Sequence, residues 1–173
     1  RLHEKKEYKY GYLDRKGKLA IGAQFDWARH FSGGLAWVES AAGHGYIDGS
    51  GSLVIKGDYK AGGDFSAGLA AVQAGKGFGY IDSKGKLVIP AKYSSAGKFS
   101  EGFAAVGSGD KLGYIDRTGK LVIPPRFDKA YGFHQGRARV ILDGRIAFID
   151  EKGKVAIGPL PSVGRAFDFS HGL

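Results

Sequence analysis

The chain has no cysteine, no methionine and only 5 prolines in 173 residues. Without cysteine there is no disulfide framework, no thiol nucleophile and no thiolate metal site. The redox compartment stays open, because a chain without cysteine suits either. No apolar run approaches the ~20 residues a helix needs to cross a bilayer. No secretory leader is visible, and the first residue is Arg1 rather than Met, which predicts a piece of something longer. Acidic residues are in short supply: 17 Asp plus Glu stand against 26 Lys plus Arg, a formal charge of +9. What is present is a hydrophobic share of 43%, enough for a core and against wholesale disorder. The 30 glycines are more than twice the usual share of about 7%. They follow no Gly-X-Y rhythm, which excludes collagen.

Shifting the chain on itself by 34 residues aligns it almost throughout. Asp14, Asp48, Asp82, Asp116 and Asp150 fall in one column, and Gly17, Gly51, Gly85, Gly119 and Gly153 in another. Ile21, Ile55, Ile89, Ile123 and Ile157 form a third. Tyr12, Tyr46, Tyr80 and Tyr114 share a column with Phe148, and Phe31, Phe65, Phe99 and Phe133 keep the same spacing, with Phe169 two residues late. Self-similarity at a fixed period is the mark of a repeat architecture. The units run over about 8–44, 45–78, 79–112, 113–145 and 146–173, with 1–7 as a partial preceding strand of one repeat domain.

Each copy reads as three short strands. The first is Gly-Tyr-Ile-Asp, as at 79–82, and it ends in Asp-x-x-Gly. Aspartate at the first turn position bonds the backbone that follows, and glycine at the fourth accepts positive φ, which predicts a hairpin. The second strand is Lys-Leu-Val-Ile, as at 86–89, with Pro90, Pro124 and Pro125 just beyond it. A connecting loop follows. The third strand is Leu-Ala-Trp-Val at 35–38 and Arg-Ala-Arg-Val at 137–140, with Ala and Val always at its second and fourth positions. Strand side chains alternate, so the Ala and Val face is expected inside. The Phe31 column is expected to plug the core beneath each loop. No long helix is readable, because apolar positions follow period two. One unit is too short to bury its own core, so stability has to come from stacking. The expected fold is all-β, an open superhelical or solenoid-like array of three-stranded antiparallel units. A closed five-bladed propeller-like ring is the alternative, disfavoured because propeller blades have four strands.

At these residues the chain resembles the bacterial WG repeat family, also described as KWG repeats. The matching stretches are 9–14, 78–90 and 112–125, with Phe99-Ser100-Glu101-Gly102-Phe103-Ala104-Ala105-Val106 resembling the family's other common block. The resemblance runs over roughly 8–173. It departs at the name-giving tryptophan, whose position holds Tyr10, His44, Phe78, Leu112 and Ile146. The resemblance implies a β-rich repeat module, often part of larger bacterial proteins, and no common catalytic activity or substrate.

Chemistry is sparse. His3, His30, His44, His134 and His171 lack metal-ligand spacing, and the Asp column is read as turns rather than calcium loops, which need about twelve residues. No nucleophile elbow or phosphate loop is present. The reading is therefore non-catalytic, with no metal and no cofactor. An enzyme of unknown class is the remote alternative. Positive charge is the stronger signal. Arg15, Lys16, Lys18, Lys84, Lys86, Arg117, Lys120, Lys152 and Lys154 sit around the hairpin turns. Stacked in register, they form an interrupted basic ridge that attracts anionic polymers, glycans or an envelope surface. Arg126, Lys129, Arg137 and Arg139 add a second patch in the fourth copy, and Trp27 and Trp37 occupy positions the repeat does not demand, both expected as exposed contacts. Trp27, Trp37, Arg137 and Arg139 are singled out from these. These four are the candidate partner-binding residues. The function expected is a scaffold or binding module for a macromolecule, a protein first and an anionic polymer second.

Overall fold

The computed structural model describes residues 8–160, which form seventeen strands and no helix. The strands form small antiparallel sheets. One sheet runs, edge to edge, Tyr59–Gly62, Leu69–Ala74, Gly77–Asp82 and Leu87–Tyr93. In repeat terms that order is connecting strand, third strand, then the first and second strands of the next copy. A sheet therefore does not coincide with a sequence copy. It joins the end of one copy to the start of the next, so the chain is stitched together at every repeat boundary.

The connecting stretch, expected as loop, is a strand in three of the sheets, at Trp27–Ala28, Tyr59–Gly62 and Lys129–His134. In the sheet of Phe103–Ser108, Lys111–Asp116 and Leu121–Phe127 it is reduced to a bridge between Ala96 and Val106. The three strands expected per unit thus become four wherever this stretch pairs fully. Its polar residues hid the strand, since one face is solvent-exposed at Lys60 and Lys129.

Both faces of the inner sheets are covered. Ala36, Val38 and Ile47 face back onto Ile21 and Phe25 of the preceding sheet. Trp37, Tyr46 and Ile55 face forward onto Ala70, Val72 and Ile81. The pattern repeats with Tyr80 and Ile89 against Ala104, Val106 and Ile115. It closes with Tyr114 and Ile123 against Ala138, Val140 and Ile149. One face is small and the other bulky, so each sheet keys into its neighbour. Burial of each of the larger side chains is worth about 1.5–3 kcal/mol, and of each alanine less. The inward Ala and Val face is as expected.

Phe65, Phe99 and Phe133 are buried as expected of their column, whereas Phe31 is 37% exposed. Phe31 still packs edge-on against Tyr12, 4.7 Å between ring centres, but it lies in the first copy. The substantial contacts between described sheets all join neighbours along the chain, and none links the first to the last. Over the described residues the architecture is an open stack rather than a ring. The expected partial strand at 1–7, the protective Lys5 and Lys6, and the end of the fifth copy from 161, with Phe169, lie outside the described residues.

Candidate functional site

The repeated polar residues are tied to backbone. Asp82 Oδ1 accepts from the amides of Lys84 and Lys86, each at 2.9 Å, and the other four aspartates of the column do the same in their own turns. Asp48 and Asp116 also accept from Ser50 and Thr118 hydroxyls, and those bonds, first among the causes, hold their carboxyls below the usual range. The column is a set of turns, as expected.

Two further columns bond across the structure. The hydroxyls of Tyr12, Tyr46, Tyr80 and Tyr114 donate to the carbonyls of Arg29, Gly63, Gly97 and Tyr131, at 2.7–2.9 Å. Burial pushes the Tyr46 and Tyr80 hydroxyls well above their ordinary range. Ser32, Ser66 and Ser100 donate to the carbonyls of Phe65, Phe99 and Phe133, at 2.5–2.7 Å, and so form a ladder from repeat to repeat. Glu101 extends the ladder, because its carboxylate accepts from the amides of Gln135 and Gly136 in the next copy at 2.6 and 2.9 Å. The sequence reading missed the serine and glutamate links, although the serine column was visible at the repeat period.

The basic ridge is exposed at every one of its nine positions. Glycine of one turn lies on isoleucine of the previous copy, as Gly85 does on Ile55 and Gly119 on Ile89. The turns of the second to fifth copies are thereby stacked on the copy before. Arg117 is held there, since its guanidinium donates to the Ala67 carbonyl at 2.8 Å. The other eight form no ion pair among the described residues.

The two tryptophans part company. Trp27 is 48% exposed and stacks edge-on to Tyr10, 5.5 Å between centres. Trp37 is 2% exposed, which corrects the expectation of a surface contact. Its ring lies where a Cβ on Gly62 would fall 2.1 Å from it, against Tyr46 and beside His44. The signal was in the repeat: Trp37 faces Gly62, while later copies put Ala71 with Ala96 and Ala105 with Ala130. A large residue in one column is matched by a small one in the other. Arg137 is exposed, and Arg139 is half-buried with its guanidinium 3.9 Å from the Tyr131 ring centre, a cation–π contact. The four candidate residues do not come together as one patch: Trp37 is inside, and Trp27 lies in the first copy.

Three ion pairs flank the connecting strands. Arg29 meets Asp64 at 2.6 Å and Lys111 meets Asp128 at 2.5 Å, while Lys9 pairs with Asp26. The Arg29 hydrogen bond is the first cause that holds the Asp64 carboxyl low. Arg29, Asp64 and Lys98 edge a groove of about 350 Å³ floored by Ala71 and Ala96, the pair that leaves empty the space Trp37 fills one sheet earlier. Among the described residues no group of three or more His, Cys, Asp or Glu is placed to hold a metal.

Fold and repeat geometry define a β-repeat stack whose recurring residues are internal ties. The profile of the family described as WG containing repeat matches residues 10–40, 45–76, 78–111 and 113–145. The chain belongs to the WG repeat family. The match ends before the copy in which Ile146, Ala147 and Phe148 replace the recurring pattern. No curated protein matches the chain.

Proposed function

We propose that the chain is a non-catalytic β-repeat scaffold that holds a macromolecular partner, in the first place a protein. The observation that supports this reading is the engagement of the repeated polar groups. Aspartate, tyrosine and serine recur because each copy needs the same backbone bonds, and apart from the buried Trp37 the irregular residues singled out above lie on the surface. Trp27 with Tyr10, and Arg137 beside Arg139, are such irregular features. Exposed tryptophan and arginine are favoured where binding energy concentrates.

Affinity capture tests it, with the immobilised chain and a lysate of the organism that encodes it. A discrete protein is expected on the wild type and reduced on Trp27→Ala or on Arg137→Ala/Arg139→Ala. Unchanged recovery on every variant counts against these surfaces, and the absence of any retained protein counts against the scaffold.

A second reading, binding of an anionic polymer or envelope surface, is favoured by the exposed, unpaired cations of the turn ridge. It predicts affinity that falls steeply between roughly 50 and 200 mM salt. Binding to heparin or nucleic acid that survives charge reversal at Arg15, Lys16 and Lys84 contradicts it.

A further inference from the structure

The second strand of each copy forms an edge of its sheet. All five carry a bulge at the same place. Leu87 pairs with Ile81 and Ile89 with Tyr80, which leaves Val88 as the extra residue. The same shift occurs around Ala20, Val54, Val122 and Ala156. A bulge re-aims side chains, and here it leaves at least one apolar residue of the bulged pair facing solvent in each of the first four copies, while Leu53, Val122 and Val155 stay half-buried against the cores. Leu87 and Val88 are 39% and 42% exposed, and Leu19, Val54 and Leu121 are 54%, 50% and 46% exposed. Because Gly51, Gly85, Gly119 and Gly153 each sit on the isoleucine of the previous copy, these residues form a ladder up one side of the stack.

A lysine precedes the ladder in four copies, as Lys18, Lys86, Lys120 and Lys154. All four are exposed and form no ion pair among the described residues. The nearest repeated carboxylates, those of the Asp column, face their own turn amides. An apolar stripe with a cationic border that forms no ion pair selects an occupant with the inverse pattern.

The geometry points to an acidic amphipathic helix of a protein partner as the occupant of this ladder. The inference rests on the protein-scaffold reading and names its surface. Packed sheets are about 10 Å apart, and seven residues of α-helix advance about 10.5 Å. A helix with apolar and acidic residues repeating every heptad therefore meets one ladder rung per heptad, and a lysine at each of the four copies that carry one. A second copy of the chain is disfavoured, because its lysine column opposes this one. Strand addition is disfavoured too, since the bulges together with Pro90, Pro124 and Pro125 spoil the edge for backbone pairing.

The test is a fluorescence anisotropy titration of the intact chain with a labelled peptide of about 21 residues, in which leucine and glutamate recur by heptads. Its scrambled version, its lysine-for-glutamate version, polyglutamate and anionic phosphatidylglycerol vesicles serve as comparisons. The expected result is saturable binding, accompanied by a gain in peptide helicity and at least tenfold tighter than for the scrambled peptide. Leu87→Ser/Leu121→Ser and Lys86→Glu/Lys120→Glu are each expected to weaken it at least tenfold. The charge-reversed variant is expected to turn to the lysine peptide. All four positions are exposed, so melting curves of both variants should overlay the wild type, and a variant that fails to fold is replaced by Val54→Ser or Lys86→Gln. Equal binding of polyglutamate or the scrambled peptide overturns the inference, as does binding of vesicles alone or no binding at all. A failed titration alongside a protein retained in the capture experiment removes the ladder and leaves the scaffold.

Discussion

Tyrosine and serine recur here because backbone carbonyls need donors. Tyr80 is fully buried and its hydroxyl reaches the Gly97 carbonyl at 2.7 Å. Tyr80→Phe keeps the ring and removes the donor, so it is expected to cost about 1–2 kcal/mol, read as a lower urea midpoint at unchanged slope. No shift in the midpoint contradicts the role. The raised pKa of Tyr46 and Tyr80 gives a pH dependence. The unfolded chain releases these protons near pH 10, whereas the folded chain retains them to higher pH. Stability is therefore complete below about pH 10 and falls as pH rises, by about 1.4 kcal/mol per pH unit for each tyrosine. Absorbance at 295 nm should show the exposed tyrosines titrating first and the buried pair only with unfolding. Titration of all tyrosines in one step while the fold persists contradicts this account.

At the scale of the element, the hairpin turn serves its own copy and the one before. Gly85 has φ +81°, and a Cβ there would fall 2.7 Å from Ile55 Cγ2, whereas Gly17 has φ +78° with open space around it. Gly17→Ala is expected to cost about 1 kcal/mol, the left-handed backbone alone. Gly85→Ala adds the clash, for about 2–4 kcal/mol in total. Equal losses in denaturant titrations contradict the stacking of turn on isoleucine. The hairpins, the Ala and Val face and the tandem order were legible in the sequence, because period-two alternation and Asp-x-x-Gly depend on local physics. The connecting strand was not. Tyr59–Gly62 has mixed polarity and pairs only because Leu69–Ala74 offers it an edge. Trp37 was misplaced for a related reason: its burial depends on Gly62, 25 positions later, in the neighbouring sheet. The bulged ladder escaped because a Leu-Val-Ile run reads as buried strand, and only the register shift turns Leu87 and Val88 outward together.

For the whole molecule, an open stack of nearly identical sheets divides its surface by direction. One end carries the Asp turns and their cations, and one side carries the bulged edge strands. The ion-paired connecting strands line the other side. Part of the positive charge is thus distributed over a repeated lattice, with Lys18, Lys86, Lys120 and Lys154 recurring in one column of the 34-residue repeat. Such an object is suited to extended partners more than to a small ligand. The central claim, that this surface holds a protein, is tested most directly by site-specific photo-crosslinking in intact cells of the organism that encodes the chain. Benzoylphenylalanine is placed at Trp27, at Val88 and at Leu121, with Lys76 at the opposite hairpin tip as the comparison. The account predicts a discrete, nuclease-resistant protein adduct from the first three positions, strongest at Val88 and Leu121, and none from Lys76. No protein adduct from Trp27, Val88 or Leu121, or adducts with nucleic acid alone, would contradict it.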